Sequence, residues 1–281
     1  MDSKTMDRLF TCAIWSSAAL LASAFVWLLG DLVWQGVAHL SWSFLLSEPM
    51  NAGRSGGIAP ILVSTLLILA VALAAAIPLG LGAAVWLAEY TRRGGALGHG
   101  VGLSLDVLAG VPSIVFGLFG NAFFSVFLGL GFSILSGGLT LACMILPIFI
   151  RTSEVGLAAV SNDWRRGAAA LGMSRAAALS HILLPAAAPA IGAGLMLGIG
   201  RATAETAALI FTSGYVDRMP ESPFDSGRAL AVHIYDLSMN VSGGDGAAYA
   251  SALVLIVLIV LINAAALTLS ERWLARRITA S

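Results

Sequence analysis

Long uncharged apolar runs alternate with short polar clusters along this chain. A stretch of about 20 such residues can cross a hydrocarbon core as a helix, the form in which a single segment satisfies its own backbone hydrogen bonds. The first run, Leu9 to Gly30, lies between Arg8 and Asp31. A second, cored on Ile61 to Trp86, is bracketed by Arg54 and Glu89. No charge occurs between Asp106 and Arg151, which is room for two crossings, and the glycine-rich "GLGFSILSGG" at 129–138 supplies a tight turn between them. A fifth run follows Pro185 and a sixth begins near Ala247. The pattern predicts an all-α polytopic membrane protein with six transmembrane helices in one domain over 1–281. Its spans fall at about 9–30, 61–86, 107–128, 135–151, 186–211 and 247–269. The first run could instead be a secretory leader, but "AHL" and "ASA" are weak cleavage sites, so a span is the better reading.

Composition agrees. Of 281 residues, 58% are hydrophobic and 11% charged, against about 25% charged in a soluble domain. A formal net charge of zero gives no basis for binding nucleic acid. Cys12 and Cys143 lie in separate apolar runs and read as fillers rather than a disulfide. His39, His99, His181 and His233 lie outside the clearest apolar cores and show no metal-ligand spacing, so no metal site is expected. Lys4 is the only lysine, so a phosphate-binding Gly-Lys-Ser/Thr loop is excluded and the chain binds no ATP in that way. "GIGRAT" lacks the last glycine of a dinucleotide fingerprint. No paired aspartates, Ser/His set or metal cluster lies in the spans, which argues against a membrane-embedded enzyme.

Basic residues set an expected orientation, because they concentrate in cytoplasmic loops. With the N-terminus inside, Lys4, Arg8, Arg92, Arg93, Arg151, Arg165, Arg166, Arg175, Arg272, Arg276 and Arg277 fall on the inner side, and only Arg54, Arg218 and Arg228 on the outer. Both termini are therefore expected in the cytoplasm of a multi-pass inner-membrane protein. Two connections are long: an inner one at about 152–182 and an acidic outer one at about 213–246. In the outer loop "ALAVHIYDLSM" could form a short helix lying at the outer membrane surface.

Chemistry concentrates in "GIGRATAETAAL", 198–209. On a continuous helix Arg201 and Glu205 stand one turn apart on one side. Charges at membrane depth are costly and normally face a bundle interior or a watery path with a partner. The pair is either a helix-packing ion pair or a polar station on a substrate path, to which Thr203, Thr206 and Thr212 would add hydroxyls. Gly194 and Gly198 form a small-xxx-small pair for close helix approach. The inner connection "NDWRRGAAALGMSRAAALSHILLPAAAPAI" predicts a short helix, a break at Gly172 and a second helix to Pro185. It is either a docking knob for a soluble partner or an interfacial connector.

A glycine followed about a dozen residues later by "ILLP" resembles the coupling-loop motif of ABC-importer permeases. "LAGVPSIVFGLFG" at 108–120 and "RATAETAALIFT" at 201–212 are similar to the phosphate-specific importer permeases of the PstA type, as are "SGGIAPILVSTLLI" and "IPLGLGAAVWLAEY" within 55–90. The resemblance runs from about Gly56 to the last span. It implies the type I importer permease fold and an ATP-driven phosphate importer, in which this chain forms the translocation path with a second, PstC-like permease. It further implies a cytoplasmic PstB-like ATPase dimer that uses the ATP, and an extracytoplasmic PstS-like phosphate-binding protein; this chain would bind no cofactor itself. Arg165, Arg166, Gly167, Ala168 and Gly172 are the ATPase-coupling residues it implies, and Arg201, Glu205, Thr206 and Thr203 the path. Two departures stand out. The family's Glu-Ala-Ala start is Arg166-Gly167-Ala168 here, losing the acidic residue. Gly-Glu-Thr-Ala-Pro becomes Ala204-Glu205-Thr206-Ala207-Ala208, which predicts a locally straighter helix. Sulfate, molybdate or phosphonate remain alternative cargoes, and an ion-coupled transporter or channel the alternative class.

Overall fold

A computed structural model describes residues 3–91 and 95–278. Arg92 and Arg93, used for the expected orientation, lie outside the described residues. Helix α1 covers Ser3–His39. The Ser41 side chain caps the short α2, Trp42–Leu46, accepting from the Phe44 amide. A two-residue antiparallel hairpin follows, β1 Pro49–Met50 against β2 Ser55–Gly56, with Pro49 opposite Gly56. Helix α3, Ala59–Val85, runs into a π-helical turn, Trp86–Tyr90. Helix α4 is Ala96–Ala109, and α5, Ser113–Gly120, continues as a π turn through Asn121–Phe127. Helix α6, Ile134–Ala159, is capped by Ser133, and α7, Asn162–Ala170, by Ser161. Helix α8, Arg175–Ala178, passes through a π turn, Leu179–Leu183, into α9, Leu184–Thr203. Helices α10 (Ala207–Ile210), α11 (Leu230–Met239) and α12 (Asp245–Ile278) complete the chain.

Five stretches are long and apolar enough to cross a membrane: Met6–His39, Ala59–Tyr90, Ile134–Ala159, Arg175–Thr203 and Asp245–Thr268. A further apolar pair, Ala96–Ala109 with Ser113–Phe127, bends by 101° at its break and has the geometry of a broken span or a re-entrant loop. The sequence pattern anticipated one straight span there, at 107–128. The bend falls at Gly110-Val111-Pro112, where proline lacks an amide hydrogen and pushes the residue before it out of the helical region. The expected stop at Pro185 is also absent. Pro185 directly follows the π turn Leu179–Leu183, a local adjustment that accommodates a proline inside a helix, and one apolar helix continues from Arg175 to Thr203.

The core lies where α3, α6 and α9 pack together. Ile68, Leu69, Leu141, Met144, Ile145, Phe149, Ile199 and Ala202 form one buried cluster. Side chains built on Gly194 and Gly198 would strike Thr152 and Ile145 of α6 at 2.8 and 2.6 Å, so the small-xxx-small pair does bring two helices close. Helix α11 forms where expected and packs one face inward: Leu230, Ala231, Val232, His233 and Leu237 are all buried, while Tyr235 and Met239 stay exposed. Its first amide, on Leu230, donates to Thr65 Oγ1 at 2.8 Å, and that hydroxyl donates to the Ile61 carbonyl. Helix α1 packs along α12 and leaves Phe10, Trp15, Leu21 and Trp27 exposed, an apolar surface suited to lipid or another helix.

Candidate functional site

The stretch carrying Arg201 and Glu205 is not a continuous helix. Helix α9 ends at Thr203, Ala204 to Thr206 are non-helical, and α10 restarts at Ala207. The straightening expected from Ala204 and Ala208 does not occur. Nor does the expected ion pair. Among the described residues the Arg201 guanidinium makes no salt bridge or hydrogen bond. The Glu205 carboxylate, 8% exposed, accepts from the Ala208 amide at 3.0 Å. The physical reason lies in the helix ends. A cation is favoured in the last turn of a helix and a carboxylate at the start of one. Arg201 sits in the last turn of α9 and Glu205 just ahead of α10, so each charge answers its own helix end.

The hydroxyls divide in the same way. Thr203 is buried and donates to the Ile199 carbonyl at 2.7 Å; Thr212 is buried and donates to the Ala208 carbonyl at 2.8 Å. Both are occupied by the carbonyl four residues back. Thr206 is half-buried and precedes α10 with no cap hydrogen bond from its side chain. On α9 Ala193 and Leu197 are exposed, with Arg201 half-buried in line with them, while Gly194 and Gly198 beside them face α6. Arg201 therefore lies on the side of α9 that its own bundle leaves uncovered.

Tertiary contacts hold the break in place. A side chain on Gly117 of α5 would meet the Ala208 Cα at 2.8 Å, so glycine is what lets the backbones touch. Asn121 Nδ2 donates to the Phe211 carbonyl across the same contact at 2.7 Å. The segments 108–120 and 201–212, distant in sequence, thus meet in space.

At the other end of α6, the inner connection forms α7 and a turn. Gly172 adopts φ +69°, its amide donates to Ala169 and the Met173 amide to Ala168, which closes the helix by a Schellman motif. The five coupling residues divide. Arg166, Gly167 and Gly172 are exposed, whereas Ala168 is buried and Arg165 turned inward. Trp164 and Leu171, 58% and 80% exposed, add apolar surface on the same short element. Arg165 Nε donates to Glu89 Oε2 at 3.1 Å, and its terminal nitrogens donate to the Leu157 and Val160 carbonyls at 2.9 and 2.6 Å.

Two more charged clusters were not read from the sequence. Arg151 on α6 donates to Asp106 of α4 at 2.9 and 3.2 Å and to Glu154 at 2.8 Å. They line a cavity of about 430 Å³ with His99 and Thr91. At the α11 end, Arg228 pairs with Asp236 at 3.2 Å and lies 4.0 Å from Asp217. It also donates to the Tyr215 carbonyl at 2.9 Å. His233 beside it is fully buried with Nε2 unpartnered. Burial, with Arg228 adding to it, lowers its pKa to about 4; a signal for this was its place in an apolar helix pattern. No three His, Cys, Asp or Glu side chains converge as a metal site among the described residues.

A bundle of long apolar helices, an uncovered helix stripe carrying a charge and a largely exposed α7 together describe a polytopic membrane protein. Comparison with known proteins makes this specific. Residues 76–279 match the family "Binding-protein-dependent transport system inner membrane component", and the chain belongs to that family, as a permease subunit of an ABC importer. It is 31% identical to a probable ABC transporter permease, YqgI of Bacillus subtilis, over 99% of this chain and 98% of that one. It is 33% identical to the phosphate transport system permease PstA 1 of Mycobacterium tuberculosis, over 86% and 81%. Its fold is similar to a bacterial ABC transporter that imports alginate, with TM-score 0.62 at 14% identity, over 94% and 99% of the two chains.

Proposed function

We propose that this chain is the PstA-type subunit of a phosphate importer and that Arg201 is its anion-receiving group. The observation that carries the proposal is Arg201 itself: a guanidinium with no ionic partner among the described residues, on the uncovered side of α9, beside a helix break. A planar guanidinium offers a bidentate fork to phosphate oxygens. Glu205, held one hydrogen bond away from α10, lowers the net positive charge of the passage, so a dianion is received without being trapped. It can also accept from a protonated phosphate oxygen. Thr206 closes the break just after Glu205, while Thr203, occupied by α9, supports the wall. The uncovered stripe fits half of a path, completed by a second permease of the PstC type.

In this reading the α7 end is cytoplasmic, and the α11 end, with its acidic loop, faces a PstS-like binding protein. The exposed face of α7 docks a PstB-like ATPase dimer, which binds and hydrolyses the ATP; Arg166, Gly167 and Gly172 lie on that face and Ala168 anchors it. Docking depends on the turn at Gly172 rather than on the family's acidic residue, which Arg166 replaces. The similarity to PstA 1 supports phosphate over sulfate, molybdate or phosphonate. The test is labelled phosphate uptake into proteoliposomes holding the whole complex, with each oxyanion as competitor. Arg201→Leu should reduce uptake at least tenfold and Arg201→Lys several-fold, with assembly unchanged. Uptake by Arg201→Leu near the wild-type level refutes the path assignment; stronger competition by sulfate than by unlabelled phosphate refutes the cargo.

A further inference from the structure

At the α7 end, one side chain ties three helices together. Arg165, on α7, spans to Glu89 in the π turn that ends α3, and to the Leu157 and Val160 carbonyls at the end of α6. The Val160 carbonyl, past the last turn of α6, has no in-helix amide partner; the guanidinium supplies one, adds a second donor to the Leu157 carbonyl that already accepts from the Val160 amide, and grips the carboxylate with its remaining donors. Arginine suits this task because its five N–H donors lie in one rigid plane. Beneath the joint, Leu157, Leu183 and Ala187 form a buried cluster with Val85, Ala88 and Leu179, so apolar packing and the charge pair close the same corner. Arg166, the residue replacing the family's glutamate, is exposed and takes no part.

From that corner α3 and α6 run side by side to the substrate path. Leu69 of α3 and Leu141 of α6 lie in the same buried cluster as Ala202 and Leu209, which flank the break at 204–206. A displacement of α7 thus has a continuous packed route to Arg201 and Glu205. We infer that Arg165 is a positioning residue that holds α7 and the ends of α3 and α6 as one rigid body throughout the transport cycle. Movement imposed on α7 by the docked ATPase then reaches the path instead of being absorbed locally. The inference rests on the reading that α7 docks the ATPase, and extends it by naming the joint and stating that it stays closed.

The test compares phosphate taken up per ATP hydrolysed in proteoliposomes, normalised to assembled complex. Arg165→Ala and Glu89→Gln should assemble and hydrolyse ATP, with uptake per ATP falling at least fivefold for Arg165→Ala and about twofold for Glu89→Gln, which keeps an acceptor. Arg165→Lys, which cannot reach all three partners at once, should fall between them and serves if the alanine variant does not assemble. In a background with Cys12→Ser and Cys143→Ala, the pair Glu89→Cys with Arg165→Cys should be uncoupled until a short bifunctional thiol linker joins them. The linker should restore at least half of the wild-type ratio. An unchanged ratio in Arg165→Lys and Arg165→Ala assigns Arg165 a purely structural role and overturns the inference. A linked pair that hydrolyses ATP but transports less than the unlinked one shows that the joint must open, which also overturns it. Leu171→Asp tests the underlying reading separately: if the ATPase stays bound and coupled, α7 is not the dock, whatever Arg165 does.

Discussion

The absence of an Arg201–Glu205 pair has a measurable consequence. Breaking a buried ion pair by removing one partner costs about 3–5 kcal/mol, because a charge is left uncompensated. The structure assigns each residue a smaller and separate role. Arg201 in the last turn of α9 gains about 0.3–1 kcal/mol from the helix end, so Arg201→Leu should cost no more than about 1 kcal/mol. Glu205 accepts from Ala208, a buried residue, and an orphaned buried amide costs about 1–3 kcal/mol. Glu205→Leu should therefore cost that much, and Glu205→Gln, which keeps an oxygen in place, less than about 1 kcal/mol. Independent sites add to within about 0.5 kcal/mol, so the double leucine variant should equal the sum of the singles. At about 2–4 °C per kcal/mol for a chain near this size, Arg201→Leu should lower the unfolding midpoint by no more than about 4 °C. The assay is thermal unfolding of the purified complex in detergent, followed by tryptophan fluorescence, with the four proteins of the cycle measured together. A fall beyond about 8 °C in Arg201→Leu that Glu205→Leu reverses would establish a pair, and with it the failure of this account of the break.

Other outcomes follow from particular contacts. The left-handed conformation of Gly172 costs a residue with a side chain about 1–2 kcal/mol, and no neighbour lies within 4 Å of its missing Cβ; Gly172→Asn should retain coupled ATP hydrolysis while Gly172→Val loses most of it, and equal activity in both refutes the strain argument. His233 is buried neutral with its pKa lowered to about 4, so its contribution to stability is complete above the ordinary value near 6.5 and disappears as pH falls towards 4. The two values correspond to about 3 kcal/mol; unfolding midpoints measured from pH 7 to 4 should fall less in His233→Phe than in wild type, and identical slopes refute the assignment. Thr65→Val keeps the shape of Thr65 but orphans the Leu230 amide, which should cost about 1–3 kcal/mol; an unchanged midpoint shows that α11 is held by other contacts. For orientation, Glu221→Cys in intact cells should react with an impermeant thiol reagent and Arg166→Cys should not; the reverse pattern inverts the assigned sides.

Runs of apolar residues without charge admit few solutions in a bilayer, which is why the helical class and the long apolar helices were legible from residue order alone. The same holds for the turn at Gly172, a local choice that glycine's freedom at positive φ permits, and for the close approach of α9 to α6 at Gly194 and Gly198. What residue order did not contain was any contact between distant segments. The bend between α4 and α5 had a local cause in Pro112, but its angle comes from packing. The break after Thr203 had none, since neither glycine nor proline is present there. It exists because Gly117 and Asn121 hold α10 from the side and Glu205 caps it. Spacing of four residues implied a shared face for Arg201 and Glu205, and that inference is valid only on an unbroken helix. The joint of Arg165 with Glu89 and the clasp of Arg151 with Asp106 likewise depend on which helix ends arrive together. Local propensity and hydrophobic run length determine elements; the position of a charge relative to another element is decided only when the bundle closes around it.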